Sequence, residues 1–204
     1  RRWRRPGVAF RRLLALVETE GEGVCLVDLA RVRGGVQHWR ICRGVEGDFV
    51  SDEVAQKKRG GTVAAANGRR GDLTRLENAD DAALAYMDDV AEFERRPSWK
   101  GSWAFRNEQG VFLDLHQLRT TAAQTLSARA TAMMGKPEES NYYFRTLLWR
   151  NAPDGAAQTT CVDLVFEPRT GAATLARAVG IGADVDSAAG VELITVAGRR
   201  LHIY

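Results

Sequence analysis

The chain has 204 residues, of which 45% are hydrophobic and 27% are charged, so its composition is that of a globular domain and not of a disordered or collagen-like chain. A folded chain of this length buries about 70% of its unfolded surface, so a core forms without disulfide bonds, and no apolar run reaches the roughly 18 residues of a membrane span. The net charge of +3 is too small to indicate a partner by itself, and we expect one domain covering residues 1–204.

The first part of the chain has the pattern of strands separated by glycine-rich turns. Residues 12–18 form a short apolar run, and residues 24–33 alternate with period two while both faces stay largely apolar, which predicts a central strand. Gly34 and Gly35 favour a tight reversal. The sequence therefore predicts that residues 36–42 return as the hairpin partner of residues 24–33.

The next part of the chain, residues 47–81, is rich in Gly, Lys, Arg, Asn and Asp and has few large apolar residues. Loops this long in compact domains are usually functional or mobile, so this one can form a wall over a binding surface. Leu84, Met87 and Val90 then follow at helical spacing behind two aspartates, which predicts one short helix within residues 79–93.

The remaining part of the chain returns to short segments of strand length, separated by turns rich in Gly, Asn, Asp or Pro. The predicted strands are residues 103–105, 111–118, 121–129, 142–150, 161–166, 173–179, 191–197 and 200–204. Many short antiparallel strands predict a mainly β fold, either an antiparallel β-sandwich or a set of stacked sheets, with at most one or two short helices.

Few side chains offer obvious chemistry. The three histidines are His38, His116 and His202, and none belongs to an HxH or HxxxH pair that marks a metal site. The three cysteines lack CxxC spacing, so we predict buried free thiols. No GxSxG elbow, P-loop or GxGxxG motif is present, which disfavours acyl-transfer and nucleotide chemistry.

The densest group of cationic and titratable side chains surrounds the double-glycine turn. Arg33 precedes this turn, and His38, Arg40 and Arg43 follow it. Strand alternation places His38 and Arg40 on one face and Arg43 on the other, so an imidazole and a guanidinium can share one surface. Guanidinium groups bind carboxylate, sulfate and phosphate oxygens through bidentate bonds, which makes an acidic glycan or a nucleic acid a candidate ligand. The alternative is a glycine turn with solvated, charged edges.

From Val27 and Asp28 to His38 the chain has the pattern Val-Asp-x-x-x-Val-x-Gly-Gly followed by a histidine, and this frame ends at Arg43 and Gly44. The pattern resembles a strand motif in the β-sheet domain of the heparinase II/III family of polysaccharide lyases. Three later segments are also similar to family motifs: residues 60–62 (GGT), 99–116 (ending FLDLH) and 162–168 (VDLVFEP). The resemblance covers most of residues 11–180.

The resemblance implies that the chain is a piece of a longer, periplasmic or secreted enzyme whose preceding helical toroid is missing. No start methionine is visible, and no apolar segment follows the basic opening of residues 1–5, in keeping with this expectation. The implied reaction is β-elimination of a uronic-acid polysaccharide, in which cations aimed at the substrate carboxylate stabilise the developing enolate. Because the base and acid of the family come largely from the toroid, we expect the isolated sheet domain to be inactive.

The resemblance also implies roles for individual residues. It makes His38 the candidate catalytic residue, and Arg33, Arg40 and Arg43 the candidate contacts to the acidic polysaccharide. Some family members bind zinc in the sheet domain through His and Asp ligands, which makes His38 and His116 the candidate metal ligands here; a third ligand is not identifiable.

Two departures from the family pattern favour an alternative function. Arg43 stands where a second histidine is usual, and Trp39 stands where an acidic residue often follows the first histidine. The alternative is a non-catalytic glycan-binding or structural β-module. Nucleic-acid binding through residues 1–12 ranks last because no RNA- or DNA-binding motif accompanies these arginines, and we expect neither a nucleic acid nor a membrane as partner.

Overall fold

The structure is a computed structural model that describes residues 7–19, 21, 23–76, 79–131, 143–152, 158–182 and 190–204. Strands dominate these residues: β1 (Ala9–Glu18), β2 (Val24–Arg33), β3 (His38–Glu46), β4 (Phe49–Val50), β5 (Gln56–Lys58), β6 (Met87–Phe93), β7 (Trp99–Ala104), β8 (Val111–Thr120), β9 (Gln124–Thr131), β10 (Tyr143–Asn151), β11 (Thr159–Thr170), β12 (Leu175–Ile181), β13 (Gly190–Thr195) and β14 (Arg200–Ile203). Two 3₁₀ helices, Leu73–Arg75 and Ala79–Tyr86, precede β6. Parts of the predicted features lie outside the described residues: the basic opening of residues 1–5, residues 77 and 78 of the predicted loop, and Tyr142 at the start of a predicted strand.

The strands form three antiparallel sheets. The six-stranded sheet, called the central sheet below, has the order β1-β2-β11-β8-β7-β4. The five-stranded sheet has the order β3-β10-β9-β6-β5, and the three-stranded sheet has the order β12-β13-β14. The predicted fold class, mainly β with stacked antiparallel sheets, is confirmed.

Hydrophobic cores on both faces of the central sheet hold the layers together, since apolar side chains alternate along each of its strands. The core against the five-stranded sheet is built mainly from Trp99, Trp103, Leu115, Leu147, Trp149, Leu164 and Phe166. The core against the three-stranded sheet is built mainly from Cys25, Val27, Leu118, Val165, Leu175, Val191 and Leu193. The molecule is therefore a stack of three layers with the central sheet in the middle.

The strand β2 is central, as its two apolar faces predict, but the prediction that residues 36–42 pair with it is wrong. One edge of β2 is paired with β1 and the other with β11, so no edge is left for β3. After Gly34 (φ 82°) and Gly35 (φ 85°), β3 crosses to the five-stranded sheet and pairs with β10. The segment is thus a β-arch: two strands joined by a turn that face each other from different sheets.

The predicted helix within residues 79–93 is wrong in its second half. The 3₁₀ helix Ala79–Tyr86 ends where β6 begins, and β6 pairs with β5 and β9. The register of β6 against β9 shifts between Asp88 and Ala91, at a β-bulge. An extra residue in a strand puts buried side chains three positions apart, and this spacing imitates that of a helix.

The segment 47–81 contains β4, β5, the 3₁₀ helix Leu73–Arg75 and the start of the 3₁₀ helix Ala79–Tyr86, and most of its other described residues are irregular. Val63, from this segment, and Leu84 pack on Leu126 and Leu148, on the face of the five-stranded sheet that points away from the central sheet. The segment therefore covers part of that outer face. Within the described residues, no helix has the length and apolar character needed to cross a membrane.

The prediction of free thiols is confirmed. Cys25 and Cys161 are buried and Cys42 is half-buried, and none forms a disulfide. Burial is the main cause that raises the pKa of Cys25 and of Cys42 to about 11. Because the thiolate is the reactive form, these side chains are unreactive near neutral pH.

Candidate functional site

His38, the candidate catalytic residue, lies at the start of β3, faces the central sheet and is 7% exposed. Its Nε2 is 2.5 Å from the carbonyl oxygen of Gly34, and its Nδ1 is 2.6 Å from Thr160 Oγ1. A carbonyl oxygen only accepts, so Nε2 carries a proton, and in the neutral imidazole Nδ1 accepts from the Thr160 hydroxyl. His38 thus ties the arch to β11. Proton transfer between His38 and a substrate would require one of these bonds to break.

Arg40 also points inward, where it binds a buried carboxylate. Asp28 on β2 is 2% exposed and accepts hydrogen bonds from Arg40 Nη2, from Arg12 Nε at 2.9 Å and from Arg12 Nη2 at 2.8 Å. Arg40 is therefore occupied as one side of an Arg12–Asp28–Arg40 bridge between the two large sheets. Asp28, the aspartate of the Val27-Asp28 frame, therefore has a structural role in this bridge.

The two other predicted polysaccharide contacts lie apart from His38 and Arg40. Arg33 is exposed at the end of β2. Arg43 points to the outer face of the five-stranded sheet, and its guanidinium carbon is 4.0 Å from the centroid of the Phe144 ring. The arch therefore does not bring the four predicted residues to one surface, because alternation and the arch divide them between interior and exterior.

Several arginines pair with aspartates of the same chain, and some of these pairs are buried. Aspartates on four strands each bind arginine: Asp28 binds Arg12 and Arg40, Asp88 binds Arg129, Asp89 binds Arg145, Asp114 binds Arg169, and Asp163 binds Arg31 and Arg119. The positive charge of the sequence is therefore not by itself a sign of a polyanion-binding surface.

The two candidate metal ligands lie on opposite faces of the central sheet. His38 contacts Thr160 on the side of the five-stranded sheet. His116 is paired with Val165, which packs against the three-stranded sheet, and its Nε2 is 3.8 Å from Glu167 Oε2. Among the described residues no three His, Cys, Asp or Glu side chains are grouped so that they could hold a metal ion. The residues present do not fit a zinc ion shared by His38 and His116, and we derive no chemistry from a metal.

A different group of side chains forms a pocket on the outer face of the five-stranded sheet. The pocket, called the Trp39 pocket below, has a volume of about 340 Å³. It is lined by Trp39, Arg59, Asp81, Arg150 and the loop of residues 63–68. One wall thus comes from β3 and β10, and the other comes from the segment that covers this sheet.

Trp39 and Arg150 are fixed relative to each other by the sheet. They are direct partners in the register of β3 and β10, and the Arg150 guanidinium carbon is 5.4 Å from the centroid of the Trp39 ring. The Gln37 side-chain oxygen, when turned toward them, accepts from Trp39 Nε1 at 2.9 Å and from Arg150 Nε at 3.0 Å. An indole ring and a guanidinium are therefore held side by side before any ligand binds.

Arg59 brings a second cation to the same pocket. Its Nη2 donates to the carbonyl oxygens of Thr62 at 2.6 Å and of Val63 at 3.2 Å, and no group of the described residues accepts from its buried Nε. The pKa of Arg59 is below its usual value, mainly because the group is buried. The charge of Glu92 partly offsets this effect, and the charge of Arg150 adds to it. The charged Arg59 is therefore held in an unfavourable environment that an anion in the pocket would improve.

The combination of groups fits a ring that carries an acid. Two guanidinium groups can bind a carboxylate or sulfate through charge-assisted hydrogen bonds. An indole offers a flat apolar surface and can pack against the C–H face of a sugar. Asp81 lines the same pocket and can accept hydrogen bonds from hydroxyl groups.

Sequence reasoning singled out Trp39 only as a departure from a family pattern, and it missed Arg59 and Arg150. Arg150 ends a strand that was predicted, and Arg59 lies in the segment predicted to form a wall. Strand alternation in the sequence indicated that Trp39 faces the opposite side of its strand from His38 and Arg40. This alternation does not show that Arg150 pairs with Trp39, because the pairing depends on the register of β3 against β10, which are distant in the sequence.

No protein-family model matches the chain, and no curated protein matches it significantly.

Proposed function

We propose that this chain is the sheet domain of a heparinase II/III-like polysaccharide lyase, and that it binds an acidic polysaccharide in the Trp39 pocket. The observation that carries the proposal is the indole of Trp39 beside the guanidinium of Arg150, with Arg59 across a pocket of about 340 Å³. The resemblance of the Asp28–Gly44 frame to the family supplies the enzyme class. The same resemblance implies a periplasmic or extracellular location for the protein.

Binding, and not proton transfer, is the task that the contacts support. Both ring nitrogens of His38 are engaged inside the protein, and Arg40 is bound to Asp28. In the proposed enzyme this domain therefore holds a uronate residue, and groups outside this chain remove the C5 proton and assist the leaving oxygen. The C5–H bond and the C4–O bond to the leaving oxygen are therefore broken, and the C4=C5 double bond is formed, away from the arch.

Loss of Arg150 is expected to weaken binding of an oligouronate about tenfold to hundredfold, because hydrogen bonds to charged groups contribute about 1.5–3 kcal/mol each. The measurement is isothermal titration of the 204-residue chain and its Arg150→Gln variant with an alginate or polygalacturonate oligomer. A neutral oligomer of the same length is expected to bind at least tenfold more weakly than the uronate.

Three further variants locate the site. Arg177→Gln, at an exposed position on the three-stranded sheet, should leave the affinity unchanged. Arg33→Gln and Arg43→Gln test the contacts predicted from the sequence. If these two changes weaken binding and Arg150→Gln does not, the binding surface is the arch and the Trp39 pocket is the wrong site.

A separate measurement tests whether this chain binds the polysaccharide without cleaving it. Incubation of the chain with the polysaccharide should give no increase in the ultraviolet absorbance of unsaturated sugars. Appearance of that absorbance, and its loss in a His38→Ala variant that remains folded, would return the catalytic role to His38.

A further inference from the structure

The first strand of the central sheet has an unpaired edge that is apolar. Within the described residues β1 pairs only with β2, so its other edge carries free backbone N–H and C=O groups. On the face toward the five-stranded sheet, Phe10 is 61% exposed, Leu14 is 54% exposed and Leu16 is 74% exposed. A long apolar edge strand is a template for pairing with another strand.

The covering sheets explain why this face is open. The five-stranded sheet ends at β3, and the bridge from Arg40 through Asp28 to Arg12 connects β3 with β1. On the opposite face, Leu13, Ala15 and Val17 pack against the core of the three-stranded sheet. One face of β1 is thus supported by the fold, and the other is left without a partner in the described residues.

We propose that two copies of this chain associate through β1, antiparallel and centred on Ala15, so that their central sheets join into one. In this register Leu14 of one copy lies opposite Leu16 of the other, and Leu13 lies opposite Val17. Arg12 then lies opposite Glu18, which adds a pair of opposite charges at both ends of the contact. The arrangement has two-fold symmetry, the usual symmetry of a homodimer.

Neighbouring registers lack this complementarity. Centring the pair on Leu14 places Arg12 opposite Leu16 and Arg11 opposite Val17. Centring it on Arg12 places two arginines directly opposite each other, which is unfavourable. A shift by one residue would place side chains that face different layers opposite each other. The sequence of β1 is therefore self-complementary in one register.

The expected dimer is concentration-dependent, since one strand of each copy makes the contact and small interfaces are usually weak. Sedimentation equilibrium of the 204-residue chain over a wide concentration range should show reversible dimers. Leu16→Lys should raise the dissociation constant at least tenfold, because it places a charge opposite Leu14 of the other copy. The exposed position of Leu16 predicts little effect on folding, to be verified by thermal denaturation. A monomer at every concentration, or a dimer unaffected by Leu16→Lys, would overturn the proposal.

A cross-linking experiment tests the register. Ala15 is the residue that meets itself across the two-fold axis, so Ala15→Cys should form covalent dimers with a short bismaleimide. Val36→Cys, at an 86% exposed position in the arch, is the control for accessible thiols and should cross-link less. If Val36→Cys gives as many covalent dimers as Ala15→Cys, the register centred on Ala15 is wrong.

Discussion

Replacing Asp28 with alanine is expected to lower the free energy of unfolding by about 3–5 kcal/mol, the usual effect of removing one partner from a buried ion pair. Asp28 is 2% exposed, and the side chain of Arg40 beside it is 15% exposed. Without the carboxylate, Arg40 would keep a charge in the space between the two large sheets with no acid to offset it. Chemical denaturation followed by circular dichroism measures the change.

A matched control separates this effect from that of a surface ion pair. Glu94 and Arg96 form a pair in which the side chains are 53% and 49% exposed, so Glu94→Ala should cost at most about 1 kcal/mol. If Asp28→Ala is as mild as Glu94→Ala, the bridge does not hold the sheets together. The aspartate of the Val27-Asp28 frame would then need another explanation.

Replacing Gly44 with alanine is expected to destabilise the fold by about 3 kcal/mol or more, from overpacking and from a lost hydrogen bond. A Cβ at this position would lie 2.1 Å from Trp103 Nε1 and 2.3 Å from its Cε2. Trp103 is 0% exposed and donates from Nε1 to the carbonyl oxygen of Arg145 at 2.8 Å, so the ring cannot move without leaving a buried donor unpaired. Thermal denaturation should therefore show a lower unfolding midpoint for Gly44→Ala than for the unchanged chain.

Gly180 provides the control for this substitution. It also lies in a strand, and a Cβ there would meet only Leu118 Cβ at 3.7 Å, an ordinary contact. Gly180→Ala should therefore change the stability by less than about 1 kcal/mol. Equal effects at the two glycines would show that the close approach of Trp103 to β3 is not what requires glycine at position 44.

Local patterns in the sequence predicted the layers of the fold better than their connections. The two apolar faces of β2 correctly predicted a strand buried on both sides. The alternation after the double-glycine turn correctly separated Trp39 and Arg43 from His38 and Arg40. What failed was the pairing of β3, because it depends on β11, more than a hundred residues away, having taken the free edge of β2.

The pocket illustrates the same limit. Its guanidinium groups come from Arg59, in an irregular segment, and from Arg150, on β10, and no local spacing joins them to Trp39. The sequence predicted a wall over a binding surface in the segment that contains Arg59. The register of β3 against β10 sets Arg150 beside Trp39. Only this register shows which residues of the sheet lie opposite the wall.

The most direct test of the Trp39 pocket is to observe its guanidinium groups while the ligand binds. Nitrogen-15 spectra of the arginine Nε–H groups, assigned with single Arg→Lys variants, would be recorded during titration with an oligouronate. Binding in the pocket predicts that the Arg59 and Arg150 signals shift in a saturable way and that the Arg177 signal does not move. Saturable binding that leaves the Arg59 and Arg150 signals in place would contradict it.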